Sequence, residues 1–443
     1  MQHIKRHVKS HIIVGAGPAG VIAAETIRKH APQDEITIVG EEKEAPYSRM
    51  AIPYLLVGNV PEQGTHLRKS AAHFKDLNIN VVQAQVNTAQ AATKTVVLSN
   101  GQTLVYDRLL IATGSTPMRP PIAGIDLPNI FSCWTLADAR AIMDKVKPGS
   151  RVLQMGAGFI GCIIMEALAA RIQTTQTGKL TVVEMGDRMV PRMMGPAAGG
   201  MIKSWVQSKG VAVHTGARVE SITQNGAALV AKLSTGTSIE VDVIISATGV
   251  KPTIGFLKDS GITCKTGVLT DDHMQTNVQG VYAAGDCAEA FDHFTGAQVV
   301  SAIQPNAADQ ARVAALNMVG QHAALRQVTQ INVLDTLGLV STSFGNWQGV
   351  PQDQGGEHIE LKDNAHHKLL SMQFKGDVMV GCNSIGWTDH IGALRGLVEG
   401  KVKLGEWKAA LKADPTKLMA AYLATAQAQG QWSGAADVAR RGQ

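Results

Sequence analysis

Two clusters of glycine, Gly15, Gly17 and Gly20 near the N-terminus and Gly156, Gly158 and Gly161 farther along, share one G-x-G-x-x-G spacing. That spacing suits one task. The first glycine permits a tight turn, the second lets backbone approach a pyrophosphate at a helix N-terminus, and the third lets the helix pack close to the preceding strand. Each cluster is followed by an apolar stretch ending in an acid, ITIVG before Glu41 and LTVV before Glu184, placed to hydrogen-bond an adenosine ribose. One such cluster is weak evidence, whereas two with both acids point to two bound dinucleotides and hence to redox chemistry.

The elements that must position these residues are legible as strand, glycine turn and helix, twice: HIIV before PAGVIAAETI, and RVLQM before FIGCIIMEAL. Each block closes on an Ala-Thr-Gly at a strand end, Ala112 to Gly114 and Ala247 to Gly249, an internal echo in which a tight turn brings backbone toward a cofactor. A plain strand-ending turn looks the same in isolation. Between the blocks TPMRPPIAGIDLP marks a linker. Downstream, VYAAGDC delivers Asp286 at a strand end ahead of a helix from about Asn306 to Val319, where the aspartate is either a helix cap or a cofactor contact. From about residue 324 shorter strand-like runs and then helices (388–399, 404–413 and 415–428) read as a third, α+β domain, with Asp414 capping the last helix and 430–443 as a loose tail.

Length and composition agree with a globular enzyme of two or three domains: 443 residues, 45% apolar. Aromatic residues are only 4% and the formal charge is +5, which argues against nucleic acid as a partner. Basic residues gather at Lys5, Arg6 and Lys9 and again at Arg395, Lys401, Lys403, Lys408, Lys412 and Lys417. Such runs are either a solvated face or a docking face for an acidic redox protein. The apolar stretch 12–24 contains the whole first glycine turn and is read as retained strand and helix rather than a signal peptide. No run approaches a membrane span. Five scattered cysteines without a CxxC indicate neither a disulfide framework nor a metal cluster, and a cytoplasmic protein with free thiols is expected.

With these motifs together over residues 10–410, the chain resembles the FAD-dependent pyridine nucleotide-disulfide oxidoreductases, in the branch of rubredoxin and ferredoxin reductases, NADH oxidases and coenzyme A-disulfide reductases. The resemblance implies an α/β fold of the glutathione reductase type: a discontinuous FAD domain (1–116 and 247–323), an NAD domain (117–246) and a C-terminal α+β interface domain (324–443). It implies FAD contacts at Gly15, Gly17, Gly20, Glu41, Arg49, Thr113, Gly114 and Asp286, and NAD contacts at Gly156, Gly158, Gly161, Glu184 and Gly249. A carboxylate at Glu184 accepts from a free 2′-hydroxyl and repels a 2′-phosphate, so NAD(H) is preferred over NADP(H), with Arg188 close by in sequence.

Two departures from the family pattern shape the functional reading. Where thiol-using members carry a catalytic cysteine, YSRMAIPYLL has Met50, with Pro53 and Tyr54 retained. A thioether forms neither thiolate nor disulfide, so thiol–disulfide chemistry there is disfavoured; the resemblance implies that Met50 and Tyr54 lie beside the flavin, and it assigns no residue as catalytic. In the second glycine helix, Ile163 stands where relatives have a glutamate, and Glu166 one turn later is either a nicotinamide neighbour or a packing residue. Cys287 and the cluster Met189, Met193, Met194 and Met201 read as packing residues. His366 and His367, if in a strand, face opposite sides and share no metal.

The leading expectation is an FAD oxidoreductase moving electrons between NAD(H) and an iron–sulfur protein or subunit, possessing no thiol relay. It is read as a homodimer or as one chain of a larger complex, such as the FAD subunit of a tungsten aldehyde oxidoreductase. The alternatives are an NADH oxidase using oxygen and a flavin-bearing structural subunit with a vestigial NAD site.

Overall fold

The computed structural model describes residues 8–173, 176–292, 296–325 and 331–427, and the chain divides into two compact units. Lys5, Arg6 and the tail 430–443 lie outside the described residues. The first unit comprises 1–118, 132–143 and 249–328. Its centre is a parallel sheet built from β1 (Ser10–Val14), β2 (Glu35–Gly40), β3 (Ile79–Gln83), β4 (Arg108–Ile111) and the strand Val281–Ala283. The spatial order is Val281–Ala283, β4, β1, β2, β3. Ile12, Ile13, Leu109 and Leu110 are buried, as central parallel strands covered on both faces require, and Ala283 on the edge strand is buried too. Helix α1 (Pro18–His30) follows the first glycine turn with Pro18 at its start, where the missing N–H costs nothing. The helix Gln304–Met318 packs against it.

The second unit, 119–131, 144–248 and 329–443, repeats that plan and adds a further sheet. Its parallel sheet takes β5 (Arg151–Met155), β6 (Lys179–Glu184), β7 (Ala212–Thr215) and β8 (Val243–Ser246), with the short strand Ile130–Phe131 at one edge. The order is β7, β6, β5, β8, Ile130–Phe131. Helix α2 (Phe159–Ile172) follows the second glycine turn, and α3 (Pro196–Ser208) leads into β7. Each unit also carries a three-stranded antiparallel sheet, over 86–105 and over 219–241, that no glycine motif announces.

The C-terminal sheet is antiparallel, with β9 (Ile331–Thr336), β10 (Leu339–Gly345), β11 (Gly356–Asp363), β12 (Lys368–Lys375) and β13 (Val378–Ile385) in the order β9, β10, β13, β12, β11. Three helices follow, α4 (Ile391–Glu399), α5 (Glu406–Ala413) and the short α6 (Leu418–Tyr422), which is flanked by single helical turns over Pro415–Lys417 and Leu423–Gln427. The α+β character expected of this region is therefore present. Helix α5 starts at Glu406 rather than Leu404 because the amides of Leu404 and Gly405 bond to the carbonyl and carboxylate of Asp377. Asp414 caps the next turn, accepting from Thr416 at 3.0 Å. His366 and His367 lie in the β11–β12 turn, not in a strand; His366 bonds Asp363 at 2.7 Å and His367 meets the Trp205 ring edge-on. Among the described residues no helix is long and apolar enough to cross a membrane, and no group of three or more His, Cys, Asp or Glu is placed to hold a metal ion.

Candidate functional site

The two glycine turns are built alike, and the protein itself demands only two of the three glycines in each. Gly15 has φ +120° and Gly156 φ +99°, a region that L side chains rarely adopt. A Cβ on Gly15 would overlap the carbonyl of Ala112, and a Cβ on Gly156 the carbonyl of Ala247. These are the alanines of the two Ala-Thr-Gly segments, so each echo presses its carbonyl onto the first glycine of its own turn. Gly20 and Gly161 are excluded from carrying a side chain by the carbonyls of Gly15 and Gly156. At Gly17 and Gly158, by contrast, a Cβ meets no protein atom within 4 Å. These middle positions form an open cradle at the start of a long helix, where first-turn amides have no intrahelical partner, and so they can hold a pyrophosphate.

The acids after the second strand of each block differ in their surroundings. Glu41 is exposed and makes no hydrogen bond or ion pair among the described residues, whereas its neighbour Glu42 accepts from Tyr47 at 2.6 Å and from Arg49 at 2.9 Å. Glu184 accepts from the amide of Ala157, inside the second glycine turn, and from that of Gly186, both at 2.7 Å. It thereby ties its strand end to the turn while keeping other lone pairs for a ribose. Arg188 is turned away to its own loop, donating to the carbonyls of Met194 at 2.8 Å and Pro191 at 3.3 Å and to Asp187 at 2.7 Å.

In the first unit Asp286 is largely enclosed and accepts from Ser115 at 2.8 Å. Burial pushes its carboxyl above the usual range, against the opposing pull of the Ser115 hydrogen bond and the Arg49 charge. The Arg49 guanidinium lies 5.1 Å from the Trp134 ring centroid. Thr113 donates to the carbonyl of Thr253 at 2.7 Å, Gly114 has φ +65° and Gly249, also in this unit, φ +113°. Ser115, Trp134 and Glu42 were not singled out by the sequence. Ser115 lies 171 positions from Asp286, and no local pattern joins them.

Met50 and Tyr54 stand 49% and 58% exposed on a short helical stretch, Arg49–Ala51 leading into Ile52–Val57. None of the five cysteines takes their place. Cys133, Cys162, Cys287 and Cys382 are buried, and Cys264 is half-buried. Cys287 packs with its Sγ 3.4 Å from the carbonyls of Ile111 and Ala284. In α2, Glu166 is directed to the β9–β10 turn, where burial and the charge of Asp335 raise its carboxyl and the amide of Leu337 opposes the rise. Met189, Met193, Met194 and Met201 are likewise buried.

Known proteins are similar to this chain in sequence and in fold. The family model described as pyridine nucleotide-disulphide oxidoreductase matches residues 9–311. The NADH-dependent phenylglyoxylate dehydrogenase subunit epsilon of Aromatoleum evansii is 31% identical over 379 residues, 85% of this chain and 88% of that one. The NADH oxidase of Methanocaldococcus jannaschii is 30% identical, covering 85% and 87%, and a rubredoxin-NAD(+) reductase of Pseudomonas putida is 28% identical, covering 70% and 80%. In fold, the reductase in the covalent putidaredoxin reductase–putidaredoxin complex superposes with a TM-score of 0.83 over 94% of this chain and 99% of that one, at 22% identity.

Proposed function

We propose, since the chain belongs to the pyridine nucleotide-disulphide oxidoreductase family and is a flavin- and pyridine nucleotide-dependent oxidoreductase, that it moves electrons between NAD(H) and an iron–sulfur protein or subunit without a thiol relay. The observation that carries this reading is Met50, exposed where thiol-using relatives place a cysteine, with every cysteine of the chain elsewhere and four of the five buried. A flavin, when bound, supplies hydride exchange with nicotinamide and single-electron exchange with an iron–sulfur centre.

In this proposal residues 1–116 and 247–323 hold FAD. Gly17 leaves room for the pyrophosphate, Gly15 and Gly20 shape the turn, and Glu41 accepts from the adenosine ribose. Arg49 neutralises phosphate charge, Thr113 and Gly114 bring backbone to the flavin, and Asp286 binds the ribityl chain, set in place by Ser115. Met50 and Tyr54 flank the flavin. Residues 117–246 hold NAD through Gly156, Gly158, Gly161 and Glu184, with Gly249 at the adjoining turn, and 324–443 serve as an interface domain. NAD(H) is preferred over NADP(H) because Glu184 would repel a 2′-phosphate and Arg188 is already engaged by the carbonyls of Met194 and Pro191.

The similarity to a dehydrogenase subunit favours a place within a larger assembly; the assembly we propose is a multi-subunit tungsten aldehyde oxidoreductase in the cytoplasm. A second reading, direct reduction of oxygen, is favoured by the similarity to an NADH oxidase. Anaerobic titration with NADH tests the common core: stoichiometric bleaching of the flavin is expected, and an unbleached flavin would mean a vestigial nicotinamide site. Reoxidation by a ferredoxin or rubredoxin faster than by air supports the leading reading. The reverse order supports the oxidase.

A further inference from the structure

Gln154 is an amide where the second parallel sheet calls for an apolar side chain. It lies in β5 between Val182 and Ile245, and all three residues are fully buried. Its Nε2 donates at 2.8 Å to the carbonyl of Gly156 and at 2.8 Å to that of Gly161, the first and last glycines of the second turn. Carbonyls only accept, so this orientation of the amide is the one that bonds. The Oε1 is left buried with no partner, a cost that an aliphatic side chain would not incur. The first turn shows as much. Ile13 takes the equivalent place there, its Cγ2 3.3 Å from where a Cβ on Gly20 would stand, just as the Gln154 Nε2 is 3.2 Å from where one on Gly161 would stand. An aliphatic side chain therefore suffices to support such a turn.

The added hydrogen bonds fix two successive peptide planes. The Gly156–Ala157 peptide is held at both ends, its carbonyl by Gln154 at 2.8 Å and its N–H by Glu184 at 2.7 Å. The next peptide is held through the carbonyl of Ala157, which accepts from the amide of Val190 at 2.8 Å. In a trans peptide the N–H lies opposite the carbonyl, so the Gly158 N–H is fixed as well. It makes no hydrogen bond among the described residues, and it belongs to the glycine whose Cβ would meet no atom within 4 Å. The first turn has no such clamp: Ile13 has no side-chain donor, and Glu41 makes no hydrogen bond among the described residues.

We infer that Gln154 is a positioning residue for the nicotinamide dinucleotide, holding the second turn in its pyrophosphate-binding shape before the ligand arrives. The inference rests on the reading of that turn as the NAD site. A turn set in advance loses less freedom on binding, so the contribution of Gln154 falls on affinity and not on the hydride-transfer step.

Gln154→Met keeps the length of the side chain and removes the donor. In the full flavin-loaded chain, calorimetric titration with NAD⁺ should give a Kd about tenfold above that of the unaltered protein. Stopped-flow reduction by NADH should show a half-saturation raised as much, with a limiting rate within about twofold. Tm should not fall, because an unpaired buried acceptor is removed together with the two hydrogen bonds. Amide exchange over 157–162 should be faster in the variant without NAD⁺ and equal in the two proteins at saturating NAD⁺. Gln154→Ile, which copies Ile13, serves the same purpose should Gln154→Met not fold. An unchanged Kd, a fall in Tm in both variants, a lowered limiting rate at unchanged half-saturation, or amide exchange that still differs at saturation would each overturn the inference. Failure of the unaltered chain to bind NAD⁺ would overturn the nicotinamide assignment and this inference with it.

Discussion

Single residues in the two glycine turns separate what the fold needs from what a ligand needs. Gly15→Ala combines an unfavourable φ with overlap on the Ala112 carbonyl and should cost about 2–4 kcal/mol of stability, read by denaturant unfolding of the flavin-free chain. Gly17→Ala meets no protein atom and should change that stability by less than about 1 kcal/mol, yet lower flavin occupancy after purification. Equal losses of stability in the two variants would remove the argument that Gly17 faces a ligand. Asp286→Ala should release flavin while its neighbours stay folded; full retention would detach Asp286 from the cofactor. The replacement of a thiol by Met50 predicts an electron count. Dithionite titration should consume one electron pair per flavin, and a second pair would reveal a redox disulfide.

At the scale of elements, the C-terminal sheet and α5 are joined through one carboxylate. Glu357 on β11 accepts from Lys412 at 2.6 Å and from Lys408, and these two hydrogen bonds hold its carboxyl at about 2. A depressed folded value means that the tie is in force above the ordinary glutamate range and fails as pH falls from about 4.5 toward 2. Hydrogen exchange of the amides of 406–413 should therefore accelerate relative to the sheet on acidification through that window, and in Glu357→Gln at neutral pH. Uniform exchange across pH would show that α5 is held by its apolar face alone. The same pairing qualifies the basic C-terminal run. Lys408 and Lys412 are spent on Glu357 and Arg395 pairs with Glu399, which leaves Lys401, Lys403 and Lys417 exposed.

For the whole molecule, the proposal of an iron–sulfur partner predicts electrostatic steering. Reduction of an acidic ferredoxin should slow roughly tenfold from low to physiological salt, because steered association is screened over about 8–10 Å. Insensitivity to salt would leave those lysines as solvated surface. Cofactor preference is likewise a property of the assembled second unit: NADPH should reduce the flavin more slowly than NADH, since Arg188 is held by Met194 and Pro191 rather than free to meet a phosphate.

Much of this was legible in the residues alone, because it depends on local spacing. The two strand, turn and helix blocks, their acids, the Ala-Thr-Gly echoes and the absence of a thiol at Met50 are all written within short windows, where backbone geometry and chemistry are set by near neighbours. Helix ends and the His366–His367 turn were less so, because Asp377 and the hairpin, both supplied by tertiary pairing, decide them. Only the folded chain shows that Ala112 and Ala247 are the reason for the first glycines, that Ser115 sets Asp286, and that Ser343, Asn383 and Ser371 line up on one buried face. The sequence by itself determined that this is a two-dinucleotide redox protein with Met50, not a thiol, at the place where thiol-using relatives carry a cysteine. Tertiary structure decided which polar groups are satisfied and which are left open, since hydrogen-bond partners here are separated by tens to hundreds of positions and only the packing of distant strands brings them together.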